Sequence, residues 1–344
     1  MYKRQVLAAY QPDPILFARQ LRSLQAQTVT NWECVISVDG DAAGVREVVD
    51  DVAAGDSRFR VIADGRRLGF YLNFERGLRY ALADAAWIAL CDQDDYWYPE
   101  KLESLLPHLD QVSLVSGQAR LVTYPGDETT GYTNRRDLGQ TMTMLSNQFT
   151  GSLCVLSADL ATKSVPFPRM STRAAAHDHW LGVLAGSSGG TRIVDDVVQD
   201  YVQHASNVFG DPSRLTSSNP LSVAKTALKS AKAFTRRFEG SASPAAALRM
   251  LFKIYVGWRQ LMAETLKERA PEDDGALQSV FGPDRRFRSL WLVLREARRT
   301  SYIERRFELE YIASWIAGIL VRGRAAIHTE AGDQTADDQE IPVE

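Results

Sequence analysis

Leu90-Cys91-Asp92-Gln93-Asp94-Asp95-Tyr96-Trp97 places three carboxylates within four residues, directly after the apolar run Trp87-Ile88-Ala89-Leu90. Pro99-Glu100-Lys101-Leu102 then opens a helical pattern. A strand that ends in clustered acids and turns into a helix sets hard oxygen ligands at the carboxyl edge of a sheet, where open α/β folds bind their ligands. Such a cluster suits a divalent cation holding a phosphate, because Mg²⁺ takes one or two carboxylates, phosphate oxygens and water. The same residues also read as a solvated acidic turn with Asp as a helix N-cap.

Upstream of this stretch, strand and helix patterns alternate. Gln5 to Tyr10 reads as a buried strand, and Pro14 opens an amphipathic helix to about Ala26. Trp32 to Val38 is a second strand, ending in Asp39-Gly40-Asp41. Val45, Val48, Val49 and Val52 mark a helix, and Phe59 to Ile62 a third strand. After Gly69 comes a helix with Phe70, Phe74 and Leu78, and then the Trp87 strand. This alternation predicts a mainly parallel sheet wrapped by helices.

Downstream the pattern changes. Val112 to Tyr124 and Phe149 to Leu156 read as strands that would make the sheet mixed. His177 to Ala185 reads as a short helix, and Arg192 to Val194 with Val197 to Gln203 as a closing hairpin. Gly210-Asp211-Pro212-Ser213 marks a boundary. Beyond it, Leu221 to Phe238, Pro244 to Arg269, Arg286 to Arg298 and Ile303 to Val321 follow helical spacing. The expected organisation is a catalytic-type α/β domain over 1–212, an α-helical C-terminal subdomain over 213–328 and a disordered acidic tail over 329–344.

Charge follows the same division. The 344 residues carry a net charge of -3, composed of -7 over 1–212, +10 over 213–328 and -6 over 329–344. An acidic front half argues against nucleic acid as a partner. Cys34, Cys91 and Cys154 each lie in apolar strand-like runs without zinc-type spacing, so reduced core thiols of a cytosolic protein are expected. Met1-Tyr2-Lys3-Arg4 runs straight into a strand, so no signal peptide is expected. Tyr311 to Val321 is too short to span a bilayer.

Five features stand in a telling order. They are Asp39; the turn Leu68-Gly69-Phe70 followed by Asn73; the acids Asp92-Gln93-Asp94-Asp95; His177-Asp178-His179-Trp180; and Tyr201-Val202-Gln203-His204-Ala205-Ser206-Asn207. Together they resemble the family 2 glycosyltransferases with the GT-A (nucleotide-diphospho-sugar transferase) fold, most closely the bacterial rhamnosyltransferase-like branch that builds cell-surface polysaccharide. The resemblance covers residue 5 to about residue 210. It implies that Ala9, Tyr10 and Asp39 form the nucleotide base pocket, with Asn73 and Gln93 also on the donor side, and that Asp92 lies near the ribose. Asp94 matches the metal-binding end of the Asp-X-Asp motif, and His204 a further metal ligand. Asp178 matches the general base. The implied cofactor is a divalent metal, Mg²⁺ or Mn²⁺. The implied partners are a nucleotide-diphospho-sugar donor, with dTDP-rhamnose favoured, and a glycan or polyprenyl-linked acceptor. Gln11, Val38 and Arg67 depart from the family's usual residues, which puts the fine shape of the donor pocket in question.

Ordinary structural roles stand beside these. Asp39 can satisfy a turn, Asp178 can cap its own helix, and His204 can be a hydrogen-bonded strand residue. Asp95 serves either beside the metal or as a helix cap, and Trp97 and Trp180 read as packing around the cleft. Chemically, a metal at Asp94 would stabilise a leaving diphosphate, and one carboxylate at Asp178 would take the acceptor's proton, which implies inversion. A haloacid-dehalogenase-type phosphotransferase would carry its acids after the first strand, whereas here they follow the fourth. No glycine-rich phosphate loop supports a nucleotidyltransferase. A catalytically silent scaffold that binds nucleotide or membrane is the alternative from another class. The basic rear, with Lys225, Lys229, Lys232, Arg236 and Arg237, together with Tyr311, Ile312, Trp315, Ile316 and Ile319 near Arg322 and Arg324, reads either as a helical packing stripe or as a module for an anionic membrane surface.

Overall fold

A computed structural model describes residues 2–83, 85–170, 175–204, 219–238, 240, 243–270 and 275–321. The chain divides into two compact units. The first gathers the described residues of Met1–Thr143, Asn147–Phe167 and His177–Phe209, and the second those of Met144–Ser146, Pro168–Ala176 and Gly210–Glu344.

The first unit begins with β1 (Tyr2–Ala9), α1 (Pro14–Gln25), β2 (Glu33–Val38), α2 (Ala43–Ala53), β3 (Phe59–Ile62), α3 (Phe70–Ala81) and β4 (Ala85–Cys91). These follow the sequence reading closely, for local reasons. Asp13 accepts from the N–H groups of Ile15 and Leu16 and so caps α1, and Pro14 occupies its first turn. Val6, Leu7, Val35 and Ile36 are fully or almost fully buried, because strands covered on both faces need continuous apolar runs. β1 pairs in parallel with both β2 and β4, and β2 in parallel with β3.

Then come β5 (Tyr96–Trp97), α4 (Lys101–Leu105), β6 (Leu114–Thr123), β7 (Thr129–Tyr132), α5 (Gln140–Leu145), β8 (Cys154–Ser157), α6 (Ala158–Ser164), α7 (His177–Gly186) and β9 (Thr191–Gln203). The sheet order is β3-β2-β1-β4-β8-β6-β9-β5, with β7 against β6. Only part of the sheet is parallel. β8 runs antiparallel to β4 and β6, and β9 returns parallel to β6. That arithmetic of directions puts the carboxyl ends of β1, β2, β4 and β9 on one edge, together with the start of β8.

Three expectations change. The expected closing hairpin is a single strand, β9, whose register against β6 slips between Ser116↔Ile193 and Gln118↔Val197. The acids Asp195-Asp196, which mimic a turn in the sequence, are the bulge that absorbs the slip. The strand expected over Phe149 to Leu156 is instead a 3₁₀ turn at Gly151–Leu153 followed by the short β8. The polar stretch after Tyr124 contains β7, which its sequence, Thr-Thr-Gly-Tyr, does not advertise.

The second unit contains α8 (Pro220–Phe238), α9 (Pro244–Phe252), α10 (Trp258–Arg269), α11 (Ala276–Phe281), α12 (Phe287–Arg299) and α13 (Arg305–Leu320). The helix expected from Pro244 to Arg269 is interrupted by a π-turn at Lys253–Gly257. Ala227, Ala231, Met250, Leu251 and Ala317 form its small core. Gly318 lets α13 approach Phe252 closely, since a Cβ there would stand 2.6 Å from the Phe252 ring. No helix among the described residues is long and apolar enough to cross a membrane. The boundary around Gly210, the residues Arg322 and Arg324, and the acidic tail lie outside the described residues.

Gly117 sits where β6 passes the β9 bulge, and a Cβ there would lie 2.8 Å from Val198 Cγ2 and 3.0 Å from the Asp196 carbonyl oxygen. Gly117→Ala is therefore expected to destabilise the fold by about 1–3 kcal/mol through overpacking. A urea denaturation followed by circular dichroism with an unchanged midpoint would show that the bulge is not so placed.

Candidate active site

The residues singled out in the sequence gather at that shared strand edge. Register aligns Ala9 with Val38 and Leu7 with Cys91, so Tyr10, Asp39 and Asp92 are the first residues past three adjacent strands. The Tyr10 N–H donates to Gln93 Oε1 at 2.7 Å, which ties the acidic turn to the end of β1. The Asp39 carboxylate accepts from the N–H groups of Leu68 and Gly69, and so pins the turn that starts α3. Gly69 has φ 81°, a backbone conformation that side-chain-bearing residues avoid. Arg67 lies over the Tyr10 ring, 4.3 Å from its centroid. Asn73 is buried, its amide donating to the Ser37 carbonyl and accepting from the Ser37 hydroxyl and Arg76. Its polar groups thus face β2.

The acids of the turn have different partners. Asp95 is 1 % exposed and accepts from Gln199 Nε2 at 2.8 Å and from the Val202 N–H at 3.1 Å, so it ties the turn to β9 rather than capping a helix. Gln199 also accepts from Lys101 Nζ at 2.6 Å and donates to Ser152 Oγ at 2.9 Å. Lys101 Nζ lies 3.6 Å from the Trp97 ring centroid. Burial lowers the Lys101 ammonium to about 7, against the pull of nearby carboxylates and thiols. Burial, with the Asp94 charge, raises Asp95 to about 7. Asp92, half-buried in the cleft, is pushed up by burial first and then by the charges of Asp95, Asp94 and Asp178.

Asp94 faces the end of β9, where its Oδ2 lies 2.7 Å from His204 Nε2. Asp178, in the first turn of α7, accepts from Asn147 Nδ2 at 3.0 Å, from the Gly151 N–H at 3.2 Å and from the His179 N–H at 2.7 Å. Its carboxylate is fixed by the loop entering β8. His177 stacks on Phe74 with ring centroids 3.9 Å apart, and its Nε2 fills the space that a Cβ on Gly151 would need. Trp97 and Trp180 are fully buried packing residues. Ser206 and Asn207 lie outside the described residues.

Lys101, Asn147, Gly151, Ser152 and Gln199 carry no sequence signal of these roles. Each acts on a partner at least 27 residues away. Lys101, a charged residue that is almost fully buried, is the clearest such case.

Residues 15–161 match the model of Glycosyl transferase family 2. The matched segment contains β2 through β8 and the acidic turn. An uncharacterized protein, y4gI, of Sinorhizobium fredii is 31% identical over 106 residues, covering 30% of this chain and 11% of its own. The putative glycosyltransferase EpsH of Bacillus subtilis is 33% identical over 124 residues, covering 35% of this chain and 33% of its own. The chain thus spans about a tenth and a third of the lengths of these two relatives. Among solved structures, S. aureus TarS 1-349 in complex with UDP-GlcNAc is similar with TM-score 0.49 and 13% identity, covering 94% of this chain and 92% of that one. Mannosyltransferase PcManGT from Pyrobaculum calidifontis, in complex with GDP-Man and Mn²⁺, has TM-score 0.46 and 16% identity, covering 93% and 88%. The fold class is GT-A, a mixed sheet wrapped by helices with an α-helical C-terminal region.

Gln199→Leu removes two donors and an acceptor from the buried cluster and leaves Asp95 and Lys101 each short of a partner. A loss of at least about 1–3 kcal/mol is expected, read as a lower urea midpoint. Stability equal to that of the unaltered protein would mean the cluster contributes nothing net.

Proposed function

We propose that this chain is an inverting, metal-dependent glycosyltransferase that moves a sugar from a nucleotide-diphosphate donor to a hydroxyl acceptor in cell-surface polysaccharide synthesis. The observation that carries the reading is the Asp94–His204 contact on the strand edge shared with Asp178, within a unit whose residues 15–161 match a glycosyl transferase family.

The donor set fits a divalent cation. Among the described residues no three His, Cys, Asp or Glu side chains converge into a complete ion site. Asp94 and His204 supply two donor atoms 2.7 Å apart, a carboxylate oxygen and an imidazole nitrogen of the kinds that would hold such an ion. Diphosphate oxygens and water would complete the set, as is usual for Mg²⁺ and Mn²⁺. When bound, the cation supplies Lewis-acid stabilisation of the departing diphosphate.

The chain's own residues do the rest. Asp178 takes the proton of the acceptor hydroxyl at its carboxylate, held in orientation by Asn147 and the Gly151 N–H. General-base catalysis of this kind contributes about 10²–10⁴ in rate. A single base acting opposite the leaving group gives inversion at the anomeric carbon. Ala9, Tyr10 and Asp39 border the base-binding end, where Arg67 supplies a second planar group. Asn73 supports that end through Ser37, and Asp92 with Gln93 lies on the ribose side. The sequence resemblance makes dTDP-rhamnose the first donor to try, with a glycan or polyprenyl-linked glycan as acceptor at the inner face of the cell membrane. The domain limits that follow are 1–212 for transfer and 213–328 for the helical subdomain.

Asp94→Ala is expected to abolish Mn²⁺-dependent binding of dTDP or UDP with the fold intact, in calorimetric titration. Affinity equal to that of the unaltered protein would remove Asp94 from the metal site. Asp178→Asn is expected to keep donor binding and lower single-turnover sugar transfer by 10²-fold or more. A loss below tenfold would make Asp178 structural.

A further inference from the structure

We infer that α12 and α13 form a docking surface for an anionic lipid bilayer. The inference rests on the second unit alone and stands whether or not the chain transfers sugar.

The sequence leaves open which side of each rear helix is buried. In α12 the inward residues are Leu290, Leu294 and Ala297, all fully buried. At 100° per residue, Phe287, Trp291 and Leu292 lie outside that buried arc, Phe287 at its border beside Leu294 and Leu292 on the far side. They are 44 %, 42 % and 57 % exposed, although aromatic and aliphatic residues at such spacing normally point inward. α12 therefore carries an exposed apolar arc that begins at the border of its buried stripe. Phe287 stacks on Trp291 and meets Trp315 of α13 edge-on, with ring centroids 6.3 and 5.3 Å apart. From Trp315 the patch continues along α13 to Ile316, Ile319 and Leu320, which are 51 %, 62 % and 66 % exposed. Tyr311, which the sequence grouped with them, is buried and belongs to the packing side.

Charge selects the occupant. Arg288 and Arg295 fall between Trp291 and Leu292 around the helix, are exposed, and form no ion pair among the described residues. The one acid of α12, Glu296, is spent on Arg299. α8, which also packs against α13, repeats the arrangement. Its exposed face bears Lys225, Lys229, Lys232 and Arg236 beside exposed Leu221 and Leu228, and its sequence contains no acid. A protein partner of ordinary kind covers an apolar centre that is depleted of charge. Aromatic and aliphatic side chains interleaved with unpaired arginines instead match a bilayer interface, where rings enter the headgroup level and cations meet anionic lipid.

The test is vesicle co-sedimentation of the full chain with phosphatidylcholine alone and with phosphatidylcholine containing phosphatidylglycerol. Binding is expected only to the anionic vesicles, weakened by salt. Arg288→Glu with Arg295→Glu is expected to cut partition by at least about 25-fold, given about fivefold per basic residue at such a surface. Trp291→Ser with Leu292→Ser is expected to abolish it. All four side chains are exposed, and unchanged circular dichroism would exclude unfolding. In the unaltered protein, brominated lipid is expected to quench tryptophan emission, and Trp291→Phe to lower that quenching, leaving what Trp315 contributes. Equal binding to both vesicle types, or variants that bind as the unaltered protein does, would overturn the proposal. So would a concentration-dependent dimer in light scattering that the same substitutions dissolve, because the face would then be covered by a second copy.

Discussion

The first unit depends on a buried cluster in which a carboxylate, an amide and an ammonium satisfy one another. Asp95 holds Gln199 and the backbone of Val202, and Gln199 holds Lys101 and Ser152. Each ionisable member is expensive to bury alone, and a buried charge is tolerated only when paired and hydrogen-bonded. The cluster thereby fixes three separate elements, the acidic turn, α4 and β9, in one geometry. Asp94 meets His204 because Asp95, its neighbour, has already fixed β9 alongside the turn.

A second constraint is directional. β4 and β9 end on the same edge only because β8 runs opposite to both β4 and β6. The reversed strand also brings Gly151 and Ser152 to that edge, where the Gly151 N–H donates to Asp178 and Ser152 accepts from Lys101 at its carbonyl and from Gln199 at its hydroxyl. Antiparallel pairing in the middle of a partly parallel sheet is thus what assembles residues from both halves of the unit at one cleft.

The sequence made the front of the fold legible because its signals are local: Asp13 and Pro14 start a helix, Gly69 makes a turn, and Val6 to Ala9 fills a covered strand. The acidic turn was legible for the same reason. Asp195 and Asp196 misled because a bulge and a hairpin turn use the same polar residues, and only the partner strand distinguishes them. Asp95 could not be assigned because its partners are 104 and 107 residues distant. In α12 periodicity marked the helix but not that Phe287, Trp291 and Leu292 would stay exposed beside its buried side.

The separation of Asp94 from His204 by 110 positions has a bearing on synthesis. β6 and β9, which bring the two ends together, pair in parallel across most of that interval and must close a long loop before any contact rewards them. During translation the acidic turn leaves the ribosome well ahead of β9. Throughout that interval Asp95 and Lys101 lack Gln199, and the apolar edges of β4 and β6 await completion. Nascent chains stalled before residue 204 would therefore hold a partly finished sheet with open strand edges, the state in which association with other chains is easiest.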